Sequence, residues 1–251
     1  YNKAGDTLVY CYVPAAVDEN GVLNITAKNV GASAYAGQPG IKKVVFSKDI
    51  TTIDANAFEG CSNLTTVEFD KESGSILAIP DYAFNNCTSL TTVANMPASI
   101  TKIGNYAFSG CKSLKSITYG TGVTTIGDYA FQNSGIKSIV IPSTLTKFGN
   151  TGLNEFLNCT RLERVEIYAP IGNNLTYLNT SYFSGCTSLK EVVLPDSIVE
   201  LGNTAFKNCV SLESIDLSGI REIGNNTFEG CTSLASVDLS SVNTIGNYAF
   251  K

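Results

Sequence analysis

One motif recurs along almost the whole chain and limits what the chain can become. Over residues 103–117 it reads I-G-N-Y-A-F-S-G-C-K-S-L-K-S-I, and as a template it is I-G-x-x-A-F-x-x-C-x-x-L-x-x-V/I-x-F/L/I/Y. Its aromatic anchor falls at Tyr35, Phe58, Phe84, Phe108, Phe131, Phe156, Phe183, Phe206, Phe228 and Phe250, so successive anchors lie 23, 26, 24, 23, 25, 27, 23, 22 and 22 residues apart. A period of this size is the signature of a solenoid, because a repeat this short cannot bury its apolar face alone and does so against the next repeat. Each coil then touches only its neighbours, and 251 residues are expected to form one elongated unit rather than two globular domains.

Each half of the template has a physical task. The segment L-x-x-V-x-F, as in Leu64, Val67 and Phe69, alternates apolar residues with Thr66 and Glu68, the period of a half-buried strand. One short parallel β-strand per coil is predicted, with strands about 4.8 Å apart and the array running on the order of 50 Å. The other half places a turn former behind an apolar residue, at Asp54, Pro80, Gly104, Gly127, Gly149, Asn179, Gly202, Gly224 and Gly246. A tight bend is predicted there, followed by a short helical or 3-10 turn that returns the ring to the core from the opposite, convex side.

Residues 29–251 give about ten such coils, the last incomplete. Residues 1–28 differ: a strand at 8–13, an Asn20-Gly21 turn and a strand at 22–25 make a hairpin signal, read as the N-terminal cap. Cys11 belongs to that cap. Three irregularities interrupt the array. Gln38 and Ser134 replace the template cysteine, one residue is lost before Ile136, and the fifth coil is stretched between Phe148 and Phe156. A long connection over 168–177 follows, and insertions of this kind often sit on a binding face.

Composition removes several function classes. The net charge of -5, without a basic cluster, argues against a nucleic-acid backbone or an anionic membrane as partner. No stretch approaches the apolar length of a membrane helix. The chain has no His, which removes the usual general base, the Ser-His triads and a common zinc ligand. No G-x-x-x-x-G-K-[ST] occurs either. No catalytic residue, cofactor or metal site is predicted. Cys61, Cys87, Cys111, Cys159, Cys186, Cys209 and Cys231 stand three residues after the ring and form one column. Zinc is disfavoured by the lack of any C-x-x-C pair, and parallel Cβ vectors about 4.8 Å apart miss the ~3.8 Å that a disulfide prefers. Buried free thiols, acting as small hydrophobes, are therefore predicted.

On the exposed strand face, most alternating residues are small and polar. Glu166 with Glu191, and Asp216 with Asp238, are neighbouring carboxylates read as a solvated face rather than an acid–base pair. The exception is Arg164, Glu166, Tyr168 and Glu191, where an aromatic and both signs of charge gather beside the long connection. Arg and Tyr are enriched in binding hot spots, so these four are the candidate binding patch; an ion-pair cluster without a ligand is the alternative.

The motif I-G-x-x-A-F-x-x-C-x-S-L-x-x-V/I, nearly intact over residues 103–117, 201–215 and 223–237, resembles the BspA-like class of leucine-rich repeats over roughly residues 29–251. That resemblance implies a right-handed leucine-rich-repeat solenoid with a concave parallel sheet, on secreted or cell-surface bacterial proteins implicated in adhesion and in binding host proteins or polymers. It carries no catalytic residues. The alternative is a rigid spacer or self-associating segment of a larger surface protein. The template stops at Phe250-Lys251 before a final strand, which leaves the strand expected at 234–239 as an open edge. The expectation is that the chain continues beyond Lys251 or that this edge associates tail to tail with a second copy.

Overall fold

The computed structural model describes residues 7–8, 17–119, 122–145, 147–148, 154–168 and 176–251. The strand half of the template behaves as its alternation requires. Lys43–Phe46, Thr66–Phe69 and Arg164–Ile167 each bury every second residue. Successive coils pair in parallel and in register, so that Val44, Val67 and Val93 form one buried column. This face holds two sheets. One contains Val22–Ile25, Lys43–Phe46, Thr66–Phe69 and Thr92–Ala94, and the other contains Ser138–Ile141, Arg164–Ile167 and Glu191–Val193.

The expectation of one strand per coil is corrected. A second strand of two residues lies just before the bend, as in Thr52–Ile53, Lys102–Ile103, Thr125–Ile126 and Glu222–Ile223, and these pair in parallel along another face. Thr51, Thr101 and Thr124 support this face, because each hydroxyl donates to a carbonyl of the preceding coil at 3.0–3.3 Å.

The predicted helical or 3-10 turn is absent among the described residues, and the backbone shows why. Around Phe108, the N–H groups of Ala107, Ser109 and Cys111 bond three residues back within the coil. Those of Tyr106, Phe108 and Gly110 bond instead to Asp128, Ala130 and Gln132 of the next coil, at 3.0, 2.8 and 2.8 Å. A helix aims every N–H along its own axis, whereas here alternate peptides turn toward the neighbour. Left-handed residues two before and two after the ring, Tyr106 at φ 54 and Gly110 at φ 71, make the alternation feasible. Tyr82 and Tyr129 share the Tyr106 conformation, unusual for bulky side chains. Their rings stack on Tyr106 at 4.8 Å on both sides.

The glycines after the second strand have a different reason from the predicted one. Gly104, Gly127, Gly224 and Gly246 show no positive φ; a Cβ there would lie 2.5–2.7 Å from the backbone N–H of the preceding coil. That close approach lets Asn105 accept the Asp128 N–H, and Asn203 and Asn225 the N–H of Asn225 and Asn247, at 2.7–2.9 Å.

Strand pairing is missing at residues 115–119, 214–217 and 236–239, so the open strand edge predicted at 234–239 is not a strand. In the coils of Phe206 and Phe228 the cause is local. Asp216 and Asp238 accept the N–H of Ser218 and Ser240 at 2.9 and 2.8 Å, forming a turn where Glu68 of an earlier coil lies mid-strand. At the N-terminal end, Gly21 at φ 82 forms the expected turn, with an antiparallel bridge between Val17 and Leu23. Val22–Ile25 nevertheless pairs in parallel with Lys43–Phe46, and Thr7–Leu8 with Asn29–Val30, so the two ladders begin ahead of residue 29. Most of the predicted strand at 8–13, together with Cys11 and Gly149, lies outside the described residues.

The core is one unbroken column. The ten anchor rings stack with centroids 5.2–5.7 Å apart and planes within 3–21°. At the last coil Ile245, Tyr248 and Phe250 are 48%, 65% and 41% exposed.

Candidate binding surface

Strand register sets the candidate patch. Ser138, Arg164 and Glu191 occupy one exposed row across three coils, and Val140, Glu166 and Val193 the next. Tyr168 follows the strand directly, half-exposed at 51%. The structure brings all four predicted residues together. Arg164 Nη2 donates to Glu166 Oε2 at 3.1 Å, and Nη1 to Glu191 Oε1. A hydrogen bond from Tyr168, then one from Arg164, holds the Glu166 carboxyl below its usual range, while the same bond raises the Tyr168 hydroxyl. The long connection beyond Tyr168 lies mostly outside the described residues.

Both carboxylates lean on one guanidinium. Exposed ion pairs of this sort add little stability, about 0–1 kcal/mol. They do fix the orientation of the surface. Around them stand two valines whose exposure the alternation pattern alone did not flag as significant: Val140 at 47% and Val193 at 39%. With Tyr168 they make an apolar margin around the ion pairs. The Asp216 and Asp238 carboxyls are also lowered, by the N–H and hydroxyl of Ser218 and of Ser240, and remain ionised near neutrality.

The cysteine column is structural. All seven described cysteines are free and buried. Each Sγ donates to the carbonyl of an anchor residue in the preceding coil, as Cys61 to Tyr35 at 3.0 Å and Cys209 to Phe183 at 3.2 Å. Burial pushes each of these seven thiols up, those of Cys61, Cys159 and Cys231 to about 11. Where Ser134 replaces cysteine, its hydroxyl meets Cys159 Sγ at 3.4 Å.

One buried acid escaped the reading of the sequence. Glu155 immediately precedes the ring Phe156, a position held by Ala in most coils, and is fully buried. Neither carboxylate oxygen is hydrogen-bonded by another residue. Desolvation, reinforced by Asp128, pushes its pKa up to about 8. Tyr182, buried at the same position of the next coil, faces it electrostatically. The departure from Ala was the available signal, and it lay in the stretched coil already marked as irregular.

Stacked parallel coils, a buried ring column and an open strand face together define a leucine-rich-repeat solenoid. The chain belongs to the BspA-type leucine-rich repeat family: residues 28–163 and 150–251 match the BspA type leucine rich repeat region, in six copies. Among solved structures it is similar to a leucine-rich repeat protein from Eubacterium ventriosum, at 26% identity and TM-score 0.61 over 92% of this chain and 63% of that one. It is similar to the pneumococcal vaccine antigen PcpA at 21% identity and TM-score 0.61, over 96% and 71% of the two chains. The T. pallidum leucine-rich repeat protein gives 22% identity and TM-score 0.58, over 86% and 83%. A comparison with curated proteins finds no match. No helix among the described residues is long and apolar enough to cross a membrane.

Proposed function

We propose that this chain is a noncatalytic binding protein, exported by a bacterium and displayed at or beyond its surface, where the strand face holds a host protein or polymer. The observation that carries the reading is the patch on three adjacent strands. Tyr168, Val140 and Val193 stay exposed around an Arg164 guanidinium already oriented by Glu166 and Glu191. An oriented Arg beside an exposed Tyr pre-organises an anchor for a partner, and the rest of the face, small and polar, presents little obstruction. Family membership supports export and adhesion by analogy.

The test is an array of immobilised extracellular-matrix proteins, serum proteins and polysaccharides probed with the chain and with Arg164→Ala/Tyr168→Ala. The expected result is at least one ligand whose affinity falls about tenfold or more in the double variant, with the unfolding midpoint unchanged. An array on which nothing binds, or on which both proteins bind every ligand equally, defeats the proposal.

A further inference from the structure

The coil built around Phe131 is one residue short between ring and strand. Where other coils run F-x-x-C-x-x-L, it runs Phe131-Gln132-Asn133-Ser134-Gly135-Ile136. Gly135 bridges the shortening by donating its N–H to the Cys111 carbonyl at 3.1 Å, a carbonyl that Leu114 also uses. No side chain fits at that point, since a Cβ on Gly135 would lie 2.1 Å from the Lys112 carbonyl oxygen. The lost residue notches the ridge that the neighbouring coils raise there, and an open cleft of about 590 Å³ occupies the notch. That volume lies within the span of small-ligand sites, about 300–1,000 Å³.

The chemistry of the cleft departs from that of the whole chain. Lys112 lines it from the coil before and Arg161 from the coil after. Both are exposed, and neither forms an ion pair among the described residues. No carboxylate lines the cleft, although acidic residues outnumber basic ones by 22 to 17 in the sequence. Asn86, Asn133 and Asn158 also line it, held in the left-handed conformation at φ 58, 56 and 57. Their side-chain amides make no hydrogen bond among the described residues.

The backbone decides which anion suits the cleft. Of the nine lining residues, all but Arg161 have the backbone N–H committed to a protein carbonyl. A compact phosphate is held by several free N–H groups converging on it, and those are spent here. What remains is two cations, three amides that each donate and accept, and the Thr160 hydroxyl. The cations suit a carboxylate; the amides and hydroxyl suit a frame rich in hydroxyl groups.

We propose that this cleft binds an acidic sugar, with the carboxylate held by Lys112 and Arg161 and the ring hydroxyls by Asn133, Asn158 and Thr160. The site is separate from the strand-face patch, so Arg164→Ala/Tyr168→Ala leaves it intact and either proposal can fail alone. The experiment titrates the full 15N-labelled chain with glucuronate, glucose and inorganic phosphate while following amide resonances. Glucuronate should give saturable shifts at Asn133, Gly135 and Asn158. Glucose, which has the same frame without the carboxylate, should bind about tenfold or more weakly, and Lys112→Gln/Arg161→Gln should lower glucuronate affinity by a similar factor. Both substituted side chains are exposed and without ion pairs, and an unchanged unfolding midpoint checks that the variant is folded. Three results overturn the proposal: no saturable glucuronate shift, glucose binding as well as glucuronate, or phosphate binding as tightly as glucuronate.

Discussion

Each described cysteine adds its S–H to a carbonyl that already accepts a backbone N–H within its own coil; the Phe58 carbonyl, for instance, takes Cys61 N–H and Cys87 Sγ–H at 3.2 and 3.1 Å. The thiol is thereby small enough for the core and still a donor across the coil interface. A thiol reagent should leave these seven cysteines almost unmodified in the native chain. In denaturant without reductant it should titrate about eight thiols, the cysteine content of the sequence; two or fewer would mean disulfides. Glu155 gives a second residue-scale prediction. Its folded pKa of about 8 lies above the ordinary 4.5, so between those values the folded chain holds a proton that the unfolded chain has lost. The folded state binds more protons there, and stability falls as pH rises from about 4.5 to about 8. Glu155→Gln removes that dependence. Its stability gain over the parent chain should grow from near zero at pH 4.5 to the order of 3 kcal/mol at pH 7. Denaturant melts across this range check it, and a gain independent of pH would show that Glu155 is ionised in the fold.

At the scale of the coil, each anchor ring is shared by two interfaces. Phe108 stacks on Phe84 at 5.5 Å and on Phe131 at 5.6 Å, and is fully buried. Phe108→Ala or Phe131→Ala should therefore cost about 3–5 kcal/mol in a denaturant melt. Ser236→Ala, on the open face, should change stability by no more than about 0.5 kcal/mol. Equal losses in the two classes would show the register to be wrong. The register was legible because burial imposes a period: the ring and L-x-x-V-x-F positions are apolar in nearly every coil, and they fix which residues face inward. The turn segment was not legible. Tyr82, Tyr106 and Tyr129 give no sign in sequence of a left-handed backbone, which depends on bonds to another coil and on ring stacking between coils. The second strand was hidden for a related reason, being two residues long and too short to show alternation. The patch of Arg164, Glu166, Tyr168 and Glu191 could be assembled from strand spacing alone. The way Arg164 divides its bonds between the two carboxylates could not, because it depends on side-chain conformations.

Among the described residues the coils are joined by hydrogen bonds along the two strand ladders where these pair and along the turn segments, and through the middle by stacked rings. The strand face and the notch at Phe131 lie outside the ring column, so the proposed ligands would not disturb the core. Hydrogen exchange measures the joining most directly, because amides bonded between coils open only when coils separate. Tyr106, Phe108 and Gly110, and their counterparts Thr204, Phe206 and Asn208, donate to the next coil at 2.7–3.0 Å. Their amides should exchange orders of magnitude more slowly than those of Lys115 and Ser116, which have no such bond among the described residues. Exchange at Tyr106, Phe108 and Gly110 as fast as at Lys115 and Ser116 would contradict the account, for the turn segments would then be surface loops rather than a third wall of the solenoid.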